Sequence, residues 1–365
     1  MDRNFYHQLS ERSMAGEILE ESLARELLVS NEIELLSLLN AAYEVRKKFT
    51  GKEVSIHIIN NAQNGHCPED CHYCAQAKSS QAAIDEYPLK PDAEILAEAK
   101  RAYESGAFRY CMVFAGRGPS QHRVDHLAKL IRAIKSQYPI QICVSTGLLD
   151  QKKAQVLKEA GLDRLNHNLN TSQRHYPNIC TTHTYEERLN TLRAAKNVGI
   201  EICSGLIIGM GETADDILEV AYRLRELEAP SIPVNFLIPI PGNVLDHSAQ
   251  LTPEYCLRVL CVYRFLNPKA EIRVAAGREI HLRSMEVMAL YPANSLFMDG
   301  YLNTKGSNQS RTLQMIKDAG FVIKSDYQLE EILNQEAAAP ASLSLEQERV
   351  QLKRFPDLRP QYQKQ

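Results

Sequence analysis

Eight short β-rich runs recur along the chain, each followed by a helical or loop stretch, and this alternation limits the available folds more than any other feature. The runs are EVSIHIINN, RYCMVFA, QICVSTG, RLNHNL, EICSGLIIG, SIPVNFLIP, EIRVAAG and SLFMD, starting near residues 53, 109, 141, 164, 201, 231, 271 and 295. Stretches between them, such as DAEILAEAKRAYESG and TYEERLNTLRAAKNVG, repeat apolar residues at helical spacing and close on Gly, a common helix stop. A strand that reaches its neighbour through a helix runs parallel to it, and eight such units close into a TIM-type (β/α)8 barrel of the α/β class. The 365 residues could otherwise suggest two domains. A barrel over residues 50–325 uses that length, with a helical N-terminal extension over 1–49 and a C-terminal tail over 326–365. The tail is polar and dotted with Pro from Glu330 onward, so it is expected to be poorly ordered.

Composition narrows the chemistry. The net charge is −3 and the basic residues are scattered, which leaves no electrostatic footprint for nucleic acid or an anionic membrane. No apolar run reaches the length of a membrane span, and MDRNFYHQLSERS lacks the pattern of a signal peptide. A cytoplasmic enzyme acting on a small molecule is expected. In a reducing compartment nine cysteines point to metal or redox chemistry rather than disulfides.

Directly after the first strand comes NGHCPEDCHYCAQAK, which places Cys67, Cys71 and Cys74 on a loop at the C-terminal face of the barrel, where active sites sit. Three thiolates at C-x3-C-x2-C spacing can hold three irons of a [4Fe–4S] cube and leave the fourth open to a substrate. A structural zinc site with His66 or His72 as fourth ligand is the competing reading, and three unrelated buried cysteines the bland one. With an aromatic residue before the last Cys, the motif resembles the radical SAM superfamily. That resemblance implies S-adenosylmethionine (SAM) as cofactor, with Tyr73 against its adenine.

A second set lies within the strands. Cys143, Cys203 and Arg273 are each third in their runs, QICVSTG, EICSGLIIG and EIRVAAG, and Cys111 is third in RYCMVFA. In similar register, strands three, five and seven project these side chains into one interior layer, with Cys111 approaching from strand two. Such interiors are usually filled by Val, Ile and Leu, so these residues need a reason. They could ligate a second, smaller iron–sulfur cluster. Any one of the cysteines could instead be a core residue, and the ordinary role of a buried Arg is to pair with a carboxylate.

The segments CPEDCHYCAQ, FRYCMVFAGRGPS, AGLDRLNHNLNTS, CSGLIIGMGET, SIPVNFL, IRVAAGRE and YPANSLF, spread in this order over residues 67–297, together resemble the biotin synthase family. The resemblance implies that Cys111, Cys143, Cys203 and Arg273 hold a [2Fe–2S] cluster that donates sulfur to dethiobiotin. It further implies that Asn168 and Asn235 contact dethiobiotin or SAM, and that Arg188 faces the SAM carboxylate. Asn170 would lie at the SAM ribose, where many members carry Asp. Gly209 and Glu212, in a G-x-G-x-x-A stretch that alone would look like a weak dinucleotide fingerprint, would line the adenosine pocket. A one-electron donor such as flavodoxin or ferredoxin and a homodimer are implied in the same way. Another SAM radical enzyme of this build, a hydrogenase-cofactor or pyrrolysine maturase, is the runner-up; a metal-stabilised binding protein is the non-enzyme alternative. Cys180, Cys256 and Cys261 have no partner spacing, and His57 reads as a satisfied barrel histidine.

Overall fold

A computed structural model describes residues 1–247, 251–336 and 351–361 of the chain. Its strands are β1 (Glu53–Gln63), β2 (Arg109–Phe114), β3 (Gln141–Ser145), β4 (Arg164–Asn166), β5 (Glu201–Cys203), β6 (Leu206–Ile208), β7 (Ser231–Phe236), β8 (Glu271–Val274), β9 (Ser295–Met298) and β10 (Val322–Ile323). Each is parallel to its neighbours, and β9 pairs back with β1 from Ser55↔Ser295 to Ile58↔Met298. The eight runs therefore close as a (β/α)8 barrel, with β10 added outside beside Glu53 and Val54 of β1.

One expected strand is divided. Ser204 and Gly205 interrupt the fifth run between β5 and β6. A Cβ on Gly205 would fall 1.8 Å from the Pro233 carbonyl oxygen, so glycine alone permits this approach to β7. The gap is also where the loop after β4 docks. Asn170 N donates to Gly205 O at 2.9 Å and Ile207 N to Asn170 O at 2.8 Å, which carries Asn168 and Asn170 to the barrel mouth.

The outer helices follow the expected stretches, among them Asp92–Glu104, Gln121–Lys135, Tyr185–Asn197 and Ala214–Glu226. The last two start from capping boxes, Thr184 with Glu187 and Thr213 with Asp216, which satisfy amide groups left unpaired at a helix start. The helix Pro253–Leu266 is buried on every face from Cys256 to Leu266, so it needs a cover on its outer side. The N-terminal extension supplies it through three helices, Arg3–Ala15, Glu21–Val29 and Leu35–Thr50. Arg258 reaches into them to donate to Ser30 O at 2.7 Å and Ile33 O at 2.8 Å, and Ser13 Oγ donates to Phe265 O at 2.9 Å. Cys256 and Cys261 are packing residues of that interface, both fully buried.

Within the expected tail, residues 337–350 and 362–365 lie outside the described residues. The described stretches pack on the barrel. Leu329–Glu336 is helical, and Leu352 bridges Thr304 in antiparallel sense. Arg359 pairs with Glu94 at 2.8 Å, and the buried ammonium of Lys90 donates to Leu358 O at 2.6 Å.

Candidate active site

Alternate residues of a barrel strand face inward, so residues two apart stack in successive layers along the axis. The lowest layer here is charged. Arg109 of β2 and Arg164 of β4 lie 3.2 and 3.4 Å from the Glu271 carboxylate of β8. Burial alone would raise the pKa of Glu271, but the charges of Arg109 and Arg273 hold it well below the usual carboxylate range. His57 is fully buried beside this group, and burial together with the Arg273 charge pushes its pKa well down.

Two residues higher on β2, β3, β5 and β8 come Cys111, Cys143, Cys203 and Arg273. The structure brings all four together. Cys111 stands directly opposite Cys143 in the β2–β3 ladder, and the Cys111 and Cys203 thiols are near enough to Cys143 to shift its pKa. The Cys111 thiol is the largest cause that pushes Cys143 up to about 12, while Cys143 in turn lowers Cys111. Arg273 Nη1 lies 3.5 Å from Cys203 Sγ, and the rest of the guanidinium bonds Ser231 Oγ at 2.9 Å, Ser295 Oγ at 3.1 Å and Glu271. None of the four side-chain positions is more than 5% exposed. In these two layers three guanidinium groups face the enclosed Glu271 carboxylate and the half-exposed Glu201, which pairs with Arg164, so one positive charge is left over. That surplus of positive charge suits three thiolates on an anionic cluster better than three neutral thiols.

The third layer, with Val113 and Ser145 above Cys111 and Cys143, lines a cavity of about 260 Å³ that opens at the C-terminal face. Cys67, Cys71 and Cys74 line it too. Their loop is folded by Cys67 N to Gln76 O at 3.3 Å, Cys74 N to Cys71 O at 3.0 Å and Ala77 N to Cys74 O at 3.1 Å. Burial pushes the Cys74 thiol up to about 11 and Cys67 upward as well, so protons would leave as metal binds. His66, one of the two candidate fourth ligands of a zinc site, has a 68% exposed side chain that lies 3.6 Å from Glu86. It does not join the three thiols.

Arg188 is buried in the cavity wall. Its nitrogens reach Asn168 O at 2.8 Å, His183 Nε2 at 2.7 Å, Tyr73 Oη at 3.5 Å and the Tyr176 hydroxyl. Among the described residues no carboxylate forms an ion pair with it. A buried guanidinium without a counter-ion is costly, and an anionic group in the cavity would supply one. Asn170 adopts φ 71°, a conformation Asn tolerates better than most residues, and from there its Nδ2 donates to Tyr73 Oη at 2.6 Å. Asn168 Oδ1 accepts from Gly205 N at 3.1 Å. Asn235 also lines the cavity, but its amide is engaged with backbone: Nδ2 donates to Leu206 O at 2.9 Å and Oδ1 accepts from Ala276 N at 3.2 Å.

Gly209 and Glu212 are not brought to the cavity. The Glu212 carboxylate accepts from the N–H groups of Gly209 and Met210, each at 2.7 Å, and so closes its own turn. Conversely, sequence reasoning passed over Cys180, whose sulfur lies 3.7 Å from that of Cys71, and His183, whose Nδ1 lies 2.7 Å from Glu69 Oε2. No spacing within NICTTHTYEER signals either contact, since both partners sit more than a hundred residues away.

Residues 64–224 match the radical SAM superfamily and residues 233–322 the Biotin and Thiamin Synthesis associated domain. The chain is 56% identical over 316 residues to the biotin synthase of Magnetococcus marinus, covering 87% of this chain and 98% of that one. To the biotin synthase of Acaryochloris marina it is 55% identical, over 87% of this chain and 91% of the relative. The chain belongs to the biotin synthase family. Among solved structures, methylornithine synthase superposes with a TM-score of 0.75 at 18% identity, over 91% of this chain and all of that one. The FeFe-hydrogenase maturase HydG of Carboxydothermus hydrogenoformans gives 0.73 at 20% identity, over 90% of this chain and 81% of that one. These two share the barrel, whereas the biotin synthases share about half of the residues. Seen as a biotin synthase family barrel, the inner layer draws on both matched regions, three cysteines from the first and Arg273 from the second. Among the described residues no helix is long and apolar enough to cross a membrane.

Proposed function

We propose that this chain catalyses the insertion of sulfur into dethiobiotin to form biotin. When bound, a [4Fe–4S] cluster with SAM supplies a 5′-deoxyadenosyl radical that takes hydrogen from an unactivated C–H bond, and a [2Fe–2S] cluster supplies the sulfur. Cys67, Cys71 and Cys74 hold the first cluster and leave one iron open. Arg188 pairs with the SAM carboxylate, which gives that guanidinium its missing counter-ion, while Tyr73 and Asn170 border the nucleoside. Asn168 and Asn235 contact dethiobiotin or SAM, Asn235 through the second N–H and the second oxygen lone pair that its backbone bonds leave over. Cys111, Cys143, Cys203 and Arg273 hold the second cluster one layer below the cavity, where the closed barrel excludes water. A one-electron donor such as flavodoxin or ferredoxin, a homodimer and a cytoplasmic location belong to the same reading, as does the division into extension, barrel and tail at residues 49 and 325.

The stacking of Cys111, Cys143 and Cys203 directly beneath the cavity lined by the other three cysteines carries this proposal. A chain with only the upper set could cleave SAM but would have no sulfur below the substrate. Anaerobic reconstitution with iron and sulfide tests it: about six irons per chain are expected, together with biotin from dethiobiotin. About four irons and no biotin would mean that the inner layer holds no cluster.

A further inference from the structure

The sulfur atoms of Cys71 and Cys180 lie 3.7 Å apart although the residues are 109 positions apart in sequence. The backbone fixes them there. His72 N donates to Ile179 O at 2.9 Å, and Asp70 Oδ1 accepts from Thr181 N at 2.9 Å and Thr182 N at 3.2 Å, so the two segments are tied on either side of the pair. A disulfide has an S–S distance of about 2.05 Å, and the sulfurs need to close a gap of only about 1.7 Å, within reach of side-chain rotation. Cys71 lines the cavity and can meet a small solute there.

Cys71, Cys180 and His183 could also suggest a mononuclear metal site, since their donor atoms lie within 4.8 Å of one another. The imidazole argues against it. Arg188 can only donate, so His183 Nε2 accepts from it at 2.7 Å, and Nδ1 carries the proton that goes to Glu69 Oε2 at 2.7 Å. Neither nitrogen has a lone pair left for a metal. What remains is a pair of thiols.

We propose that Cys180 is a resolving cysteine for Cys71, forming a reversible disulfide when the loop carries no cluster. The oxidant is a hydroperoxide. Cys71, which donates to Cys180 in the structure, passes that proton to Cys180 and attacks the peroxide as the thiolate, the O–O bond breaks, and a sulfenic acid forms with loss of hydroxide, which is protonated to water. Cys180 sulfur then attacks Cys71 sulfur, the S–O bond breaks, and a second water leaves. In sum two thiols and one hydrogen peroxide give one disulfide and two waters, with two electrons passing from the thiols to the peroxide. The bond diverts Cys71 from the irreversible sulfinic acid. It also withholds the thiol from cluster assembly until a dithiol reduces it, a consequence that rests on the role proposed for Cys71 above.

The full-length, cluster-free chain treated anaerobically with about one equivalent of hydrogen peroxide, then alkylated and digested for mass spectrometry, tests this. The expected product is a peptide pair linked through Cys71 and Cys180 that dithiothreitol separates, with iron uptake lost before reduction and restored after it. In Cys180→Ser given a second portion, about two equivalents in all, Cys71 should advance to the sulfinic acid, and iron uptake should stay low after reduction. A dominant link from Cys71 to Cys67 or Cys74, a free Cys71, or full recovery of Cys180→Ser would overturn the proposal. If the disulfide forms but the reduced chain takes up no iron, the pairing stands and the ligand role of Cys71 fails.

Discussion

Glu271 and Arg273 stand two residues apart on β8, both inside the barrel, and form a buried ion pair. The same guanidinium approaches Cys203 Sγ to 3.5 Å, so Arg273 is at once an ordinary ion-pair partner and a neighbour of the inner thiols. Arg273→Met removes one of three arginines around Glu271, and Arg109 and Arg164 remain at 3.2 and 3.4 Å. The carboxylate is therefore not stranded. The variant should fold and still assemble the second cluster on three thiolates, with an altered absorption and EPR spectrum. Spectra and turnover identical to wild type would leave Arg273 with the ion pair alone.

Cys143 stands opposite Cys111 in the β2–β3 ladder and is buried in the inner layer. Ser is nearly isosteric with Cys but a poorer partner for iron, so Cys143→Ser should cripple the inner cluster with little strain on the barrel. The expected protein folds, keeps about four irons, cleaves SAM with a strong reductant and makes no biotin. Circular dichroism, iron assay, SAM cleavage and product analysis on one preparation check all four. Biotin formation at the wild-type rate would remove the inner cluster from the mechanism.

Asn235→Ala should act in two ways. The amide spans Leu206 O and Ala276 N, and stranding buried backbone groups costs about 1–3 kcal/mol, so the melting temperature should fall. The KM for dethiobiotin should rise while the iron content stays constant. An unchanged KM with a lowered Tm would make Asn235 purely structural.

The described C-terminal segment reaches the lip of the cavity. Lys353 N donates to Asn303 O at 2.7 Å and Lys305 N to Gln351 O at 2.8 Å, and Tyr301 to Thr304 line the cavity. Truncation after Glu336 should speed hydrogen exchange in residues 299–306 and raise the KM for dethiobiotin, with SAM cleavage retained. Unaltered exchange in that loop would show that the strap does not hold it.

Asp216 supplies a pH dependence away from the metal sites. Burial would raise its pKa, but hydrogen bonds from Ser172 and Thr213 and the charge of Arg174 outweigh that and hold it below the usual Asp range. A lowered folded-state pKa stabilises the protein above the unfolded value of about 3.9, and that stability is lost as the pH falls through the folded value. Asp216→Asn should therefore be less stable than wild type at neutral pH, and the difference should shrink as the pH drops below about 4. Urea denaturation of both proteins over that range measures it.

The amino-acid sequence by itself determined the eight parallel units and their starts, because strand and helix periodicities are local and are written within ten or fifteen residues. It also marked Cys67, Cys71 and Cys74 by short spacing, and Cys111, Cys143, Cys203 and Arg273 by their shared third position, since equal positions on barrel strands share a layer. Only the tertiary structure decided which loops meet. It paired Cys180 with Cys71 across 109 residues, left Arg188 without a carboxylate among the described residues, spent the Asn235 amide on backbone and turned Glu212 back onto its own amides. It also laid residues 351–361, polar and proline-marked, over the barrel from the cavity lip at Asn303 and Lys305 to the helix Asp92–Glu104, through backbone hydrogen bonds and the Arg359–Glu94 ion pair. Those contacts depend on backbone groups and on single polar atoms brought together by closure of the barrel. Hydrophobic periodicity carries no record of either.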